Sequence, residues 1–171
     1  MANVLVSIGS NIERYRNITA ALDALDTQFS GLLVSRVYQS ESVGFAGDDF
    51  LNLAVGFDCT MTVPELAAWL REVEDNNGRC RDGPKFSSRT LDIDILTFDN
   101  LIGHIDGVEL PREEIIHNAF VLRPLVDIAA EKLHPSLQCS YQSLWESYDK
   151  AAQNLWPVDF TWQGKKISAV D

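Results

Sequence analysis

Apolar and polar positions alternate most plainly at three places along the chain. Val4, Val6 and Ile8 alternate with Leu5 and Ser7, the pattern of a buried strand, which the turn-type cluster Gly9-Ser10-Asn11 ends. From Phe50 to about Cys59, Leu51, Leu53, Val55 and Phe57 point one way, and Phe50, Asn52, Ala54 and Gly56 the other. Between Thr90 and Phe98, Leu91, Ile93 and Ile95 share one face while Asp92 and Asp94 share the other. A further strand fits Leu33 to Tyr38, followed by a loop from Glu41 to Asp49. Helical spacing enters at Ile18, Leu22 and Leu25, which predicts a helix over Glu13 to Thr27. It returns at Leu66, Trp69, Leu70 and Val73. There Thr62 and Glu65 form a capping box, Pro64 lies in the first turn, and Asn76-Asn77-Gly78 supplies the stop. Later elements are a short helix after His117, the apolar run Val121 to Leu125, and a helix near Tyr141 to Ala152. Strands interleaved with two early helices predict a two-layer α+β sandwich, and no linker divides the chain, so residues 1–171 read as a single domain.

Composition narrows the functional classes. A chain of 171 residues with 46% apolar and 23% charged residues is of ordinary globular make-up and needs no disulfide or metal staple. Its formal net charge of -11 argues against nucleic acid or an anionic membrane as partner. No apolar stretch approaches the length that spans a bilayer, and Met1 to Ser10 does not read as a signal peptide. The cysteines Cys59, Cys80 and Cys139 lie far apart and suit reduced thiols in the cytoplasm.

Against this acidic background, four of the chain's 14 cationic side chains, Arg79, Arg81, Lys85 and Arg89, fall within eleven residues. A solvated loop offsetting Glu72, Glu74 and Asp75 would explain them alone. Immediately downstream, however, come Asp92 and Asp94 on one strand face. Aspartate is depleted in strands, and two like charges side by side repel unless a cation stands between them. Mg²⁺ is commonly held by one or two carboxylates together with substrate phosphates. An edge strand showing its acids to water is the alternative. The composite reads as metal on the acids and phosphate oxygens on metal and guanidinium. No G-x-G-x-x-G occurs, and Gly78 and Gly83 have Walker spacing but Pro84 in place of the lysine. On the second strand face, Asn52 offers donors and an acceptor suited to an amide-bearing heterocycle, with Phe50 beside it and room left by Ala54 and Gly56; bonding a local turn is the alternative.

The chain resembles the hydroxymethyl-dihydropterin pyrophosphokinases of folate biosynthesis. Ile8-Gly9-Ser10-Asn11, Phe50-Leu51-Asn52, Glu74 with Gly78-Arg79-Cys80-Arg81, Arg89 to Leu96 (R-T-L-D-x-D-x-L), and Phe120-Val121-Leu122 with Pro124-Leu125 follow that family's blocks in order, from about Val4 to Ala130. The resemblance implies a ferredoxin-like fold and transfer of pyrophosphate from ATP to the pterin hydroxymethyl group, releasing AMP. It also implies two Mg²⁺ ions on Asp92 and Asp94, with Arg79 and Arg89 as catalytic phosphate ligands. Glu74, Arg79, Arg81, Arg89 and Arg112 would face ATP; Ser40, Val43, Phe50, Asn52 and Phe120 would line the pterin pocket. A monomer in the cytoplasm is expected, acting on small molecules. The chain departs from the family at Ser42 (no proline), at Ser87-Ser88 (for Gly-Pro), at Arg112 (for His) and at Asn118 (for Arg). These departures leave two other readings, a non-catalytic pterin- or nucleotide-binding paralogue and a kinase for a related heterocycle.

Overall fold

The structure, a computed structural model, describes residues 1–41, 49–78 and 91–170. In chain order its elements are β1 (Ala2–Ser10), α1 (Arg14–Phe29), β2 (Leu33–Val34), β3 (Tyr38–Ser40), β4 (Phe50–Cys59), α2 (Val63–Asn76) and β5 (Asp92–Phe98). There follow β6 (Gly103–Ile105), β7 (Val108–Leu110), α3 (Glu114–His117), α4 (Ala119–Ala129), α5 (Tyr141–Ser147), β8 (Leu155–Pro157), β9 (Phe160–Trp162) and β10 (Lys165–Ser168). The main sheet runs β5-β1-β4-β3-β8, with β2 also on β4. Every pair in it is antiparallel. The path β1-α1-β3-β4-α2-β5 is the split βαβ arrangement of the ferredoxin-like fold, as expected.

Alternation decides what each sheet face packs against. Val4, Val6 and Ile8 of β1, Leu51, Leu53, Val55 and Phe57 of β4, and Ile93 and Ile95 of β5 form one core. Ile18, Leu22 and Leu25 of α1 and Leu66, Leu70 and Val73 of α2 close it. α2 begins with the expected capping box: Glu65 N–H donates to Thr62 Oγ1 at 3.3 Å, and Thr62 N–H to Glu65 Oε1 at 2.9 Å. It ends at Asn76, and Gly78 takes the left-handed conformation at φ 83°. On the reverse face Leu5, Ala54 and Leu96 pack under Val121, Leu122, Leu125 and Ala129 of α4. Leu96 follows Asp92 and Asp94 onto that side by alternation; the β1/β5 register then slips between Leu5 and Val6, which pairs Thr97 with Leu5 and returns Phe98 to the main core opposite Val4.

Three expectations change in detail. The strand over Leu33 to Tyr38 is interrupted, because Ser35 Oγ accepts the Ala54 N–H at 2.8 Å in place of a backbone carbonyl. The pairing with β4 slips by one residue across that point, from Val34 opposite Val55 to Tyr38 opposite Asn52. The helix after His117 is the eleven-residue α4, which absorbs Val121 to Leu125 and carries Pro124 within it. The helix near Tyr141 stops at Ser147, since Tyr148 turns to extended backbone.

The tail is structural. β8 lies along β3 and extends the sheet. The β9/β10 hairpin inserts Phe160 into the main core, stacks it on Tyr15 with ring centroids 5.3 Å apart, and ties Trp162 Nε1 to Asp23 Oδ1 at 2.9 Å. Among the described residues no helix is long and apolar enough to cross a membrane.

Candidate functional site

Cross-strand register sets side chains of four strands in one row on the reverse face. Asp92 pairs with Gly9, Gly9 with Asn52, and Asn52 with Tyr38. The neighbouring row runs from Asp94 through Ser7 to Ala54. Paired residues share a face, so both acids and Asn52 look out on the same side, away from the main core. Two strand spacings separate Asp92 from Asn52, or about 10 Å. Ser40 and Phe50 are paired one step further along.

Asn52 is buried, and its amide Nδ2 donates to Ser40 Oγ at 3.3 Å. Its carbonyl end lies over Gly9: a methyl group at Gly9 would stand 2.7 Å from Asn52 Oδ1. The glycine is needed here for space, so that the amide can cross the central strand. Phe120, in the first turn of α4, is half-buried against the second cluster, on the Asn52 side of the sheet.

The acids are mounted from behind. Glu74, buried in the last turn of α2, accepts the Ile93 N–H on Oε2 at 2.7 Å. That N–H belongs to the edge strand that presents Asp92 and Asp94. Glu74 Oε2 thereby pins the backbone between the two acids. Burial first, and then the charge of Asp92, push the Asp94 carboxyl up to about 7, against the pull of Arg112. Such a pair invites positive charge.

Arg112 brings some of it. Its own N–H bonds to Leu96 O at 2.9 Å, which fixes the backbone to β5. Glu114 Oε1 accepts from Arg112 Nη2 at 2.8 Å and from Nε at 3.2 Å. Nη2 then stands 3.8 Å from Asp94 Oδ1. Asn118, where the family carries arginine, is engaged elsewhere: Gln153 Nε2 donates to its Oδ1 at 3.0 Å, and Gln153 Oε1 accepts the Ala119 N–H at 2.9 Å.

The structure thus brings together Asp92, Asp94 and Asn52 on one sheet face, with Arg112 against Asp94, Ser40 and Phe50 beside Asn52, and Phe120 on the same side against the cluster under α4. Val43, Arg79, Arg81 and Arg89 lie outside the described residues. Sequence reasoning missed Gly9 as a spacer, Ser7 between Asp94 and Ala54, and Glu114 as the anchor of Arg112. Only Glu114, a carboxylate two residues from a lone arginine, had a local signal. Among the described residues no three His, Cys, Asp or Glu side chains form a metal cage. Two carboxylates on one face suit a hard cation that draws its remaining ligands from substrate phosphates.

Known proteins share both pattern and fold. A Pseudomonas aeruginosa protein named 2-amino-4-hydroxy-6-hydroxymethyldihydropteridine pyrophosphokinase is 34% identical over 132 residues, 75% of this chain and 81% of that protein. The folic acid synthesis protein FOL1 of Dictyostelium discoideum is 31% identical over 139 residues, which are 78% of this chain and 20% of that protein. A solved HPPK-DHPS in complex with substrates has the same fold, with a TM-score of 0.73 at 13% identity over 98% of this chain and 48% of the other. The chain therefore spans a fifth to a half of these two longer proteins. The profile of 7,8-dihydro-6-hydroxymethylpterin-pyrophosphokinase matches residues 5–130, a stretch that contains both acids, Asn52, Arg112 and Phe120, and the chain belongs to that family.

Proposed function

We propose that the chain transfers pyrophosphate from ATP to the hydroxymethyl group of 6-hydroxymethyl-7,8-dihydropterin and releases AMP. The observation that carries this reading is the row Asp92–Gly9–Asn52, which sets a phosphate-directed end and a heterocycle-directed end on one rigid sheet face. The hydroxymethyl oxygen bonds to the β-phosphorus of ATP, and the β-phosphorus parts from the oxygen that bridges it to the α-phosphate. AMP keeps that oxygen, and the hydroxyl proton is lost.

The chain's part is positioning and charge. Asn52 pairs with the pterin edge while Ser40 steadies its amide. Phe50 and Phe120 flank the ring, and Val43 completes the pocket. Arg79, Arg81, Arg89 and Arg112 face the triphosphate, with Glu74 holding the strand behind them. Asp92 and Asp94 would hold two Mg²⁺ ions, which supply neutralisation of phosphate charge when bound. The enzyme is read as a single-domain monomer of the cytoplasm.

The test is incubation with ATP, Mg²⁺ and the dihydropterin. AMP and pterin pyrophosphate should appear in equal amounts, and neither without the pterin. Tight pterin binding with no AMP would favour the non-catalytic reading.

A further inference from the structure

Arg112 lies among carboxylates in a graded way. Glu114 holds the guanidinium by two short bonds to one oxygen, at 2.8 and 3.2 Å. Asp94 stands further off, at 3.8 Å, in ion-pair range but beyond a hydrogen bond. The backbone N–H of Arg112 is tied to the strand that bears Asp94. Glu114 also faces Asn118, whose Nδ2 lies 3.5 Å from Oε2. The guanidinium is therefore anchored by one acid and only presented to the other. A half-exposed pair of that length contributes little to stability. Its charge nevertheless lies where a divalent cation on Asp92 and Asp94 would feel it.

We propose that Arg112 couples the metal to the nucleotide. This rests on the reading that Asp92 and Asp94 take a divalent ion together with ATP. Without nucleotide, the guanidinium is the resident counter-charge of Asp94 and opposes entry of the free ion. When a polyphosphate arrives, its oxygens offer the planar guanidinium a better, bidentate partner, and the carboxylates are left to the metal. Metal and nucleotide then each favour the other's binding by the same factor, because binding free energies are reciprocal.

Mn²⁺ serves as the probe and α,β-methylene-ATP as the unreactive nucleotide. Calorimetry gives Mn²⁺ affinity for the free protein; nucleotide affinity is measured with and without Mn²⁺. Arg112→Gln should bind Mn²⁺ alone roughly 3- to 30-fold more tightly than the wild type, the range expected from removing one charge at this separation in a partly screened site. The enhancement of nucleotide binding by Mn²⁺ should shrink by a similar factor. Arg112→Lys, which keeps the charge, should stay near the wild type on the first measure. Arg112→Met carries the same readout should the glutamine variant fold poorly. If Asp94→Asn loses Mn²⁺ while Arg112→Gln and Arg112→Met bind it no more tightly than the wild type, the coupling is overturned and the metal site stands. If Asp94→Asn binds Mn²⁺ as the wild type does, the metal site falls and the coupling with it.

Discussion

The two faces of the sheet are built from adjacent residues of the same strands, yet one is uniform and the other divided. On the helix-covered face, the inward positions of Val4 to Ile8, Leu51 to Phe57 and Ile93 to Ile95 are all apolar and buried. The reverse face is apolar beneath α4, at Leu5, Ala54 and Leu96. Beyond that helix it turns to Ser7, Gly9, Asn52, Asp92 and Asp94. The difference teaches where stability and chemistry are kept apart. Burial on one face holds the strands in register, and that register places polar groups on the other face at fixed spacings.

The comparison breaks most sharply at the acids. Asp94→Ala should lower the rate of AMP release by at least ~10²-fold, since charge on the phosphates loses its counterpart. The melting temperature should hold or rise, because one of two neighbouring like charges is gone. A kinetic assay paired with a thermal melt reads both. Leu53→Ala, across the same strands, should do the reverse. It should cost about 2–5 kcal/mol of stability in denaturant titration while the folded fraction turns over at the wild-type rate.

Smaller changes sharpen the polar end. Gly9→Ala drives a methyl group against Asn52 Oδ1, so dihydropterin affinity should fall by about 1–3 kcal/mol with ATP affinity unchanged. In an Asn52→Ala background the same change should cost almost nothing more, a non-additivity that calorimetric titration of the four proteins would reveal. Phe120→Ala should weaken the pterin by roughly 1 kcal/mol beyond its lost contact area.

The smallest effect is a pH dependence in the covered half of the reverse face. Burial lowers the pKa of His134, whose Nδ1 accepts the Ser136 and Leu137 N–H groups at 3.2 and 3.1 Å. The folded state therefore binds a proton less readily than the unfolded chain. Stability is fully present above the ordinary histidine range and falls as pH drops through it. His134→Gln should flatten that slope in melts taken downward in pH from the ordinary histidine pKa of about 6.5.

What could be read from the sequence was what repeats locally. Leu91, Ile93 and Ile95 against Asp92 and Asp94 named the face of the acids without any partner strand, and the Thr62–Glu65 capping box fixed the start of α2. What could not be read depends on residues far away. Three-residue β8 offers too little alternation to announce itself, and it is a strand because β3, more than a hundred positions earlier, lies beside it. Ser35 breaks its strand through one hydroxyl whose partner is on β4. Glu114 matters only because the chain returns Arg112 to β5. One miss was legible: Asp106-Gly107, both at positive φ, is a two-residue hairpin turn that joins β6 to β7.

Gly9 carries a consequence for how this protein can change over generations. The space above it is occupied by the Asn52 amide, so the two positions, distant in the chain, act as one inherited unit. A lineage that gains any side chain at position 9 must first, or at once, shorten or redirect the residue at position 52. A lineage that gives up Asn52 frees position 9 to drift. Among descendants, loss of the glycine is thus expected to travel with a change at position 52.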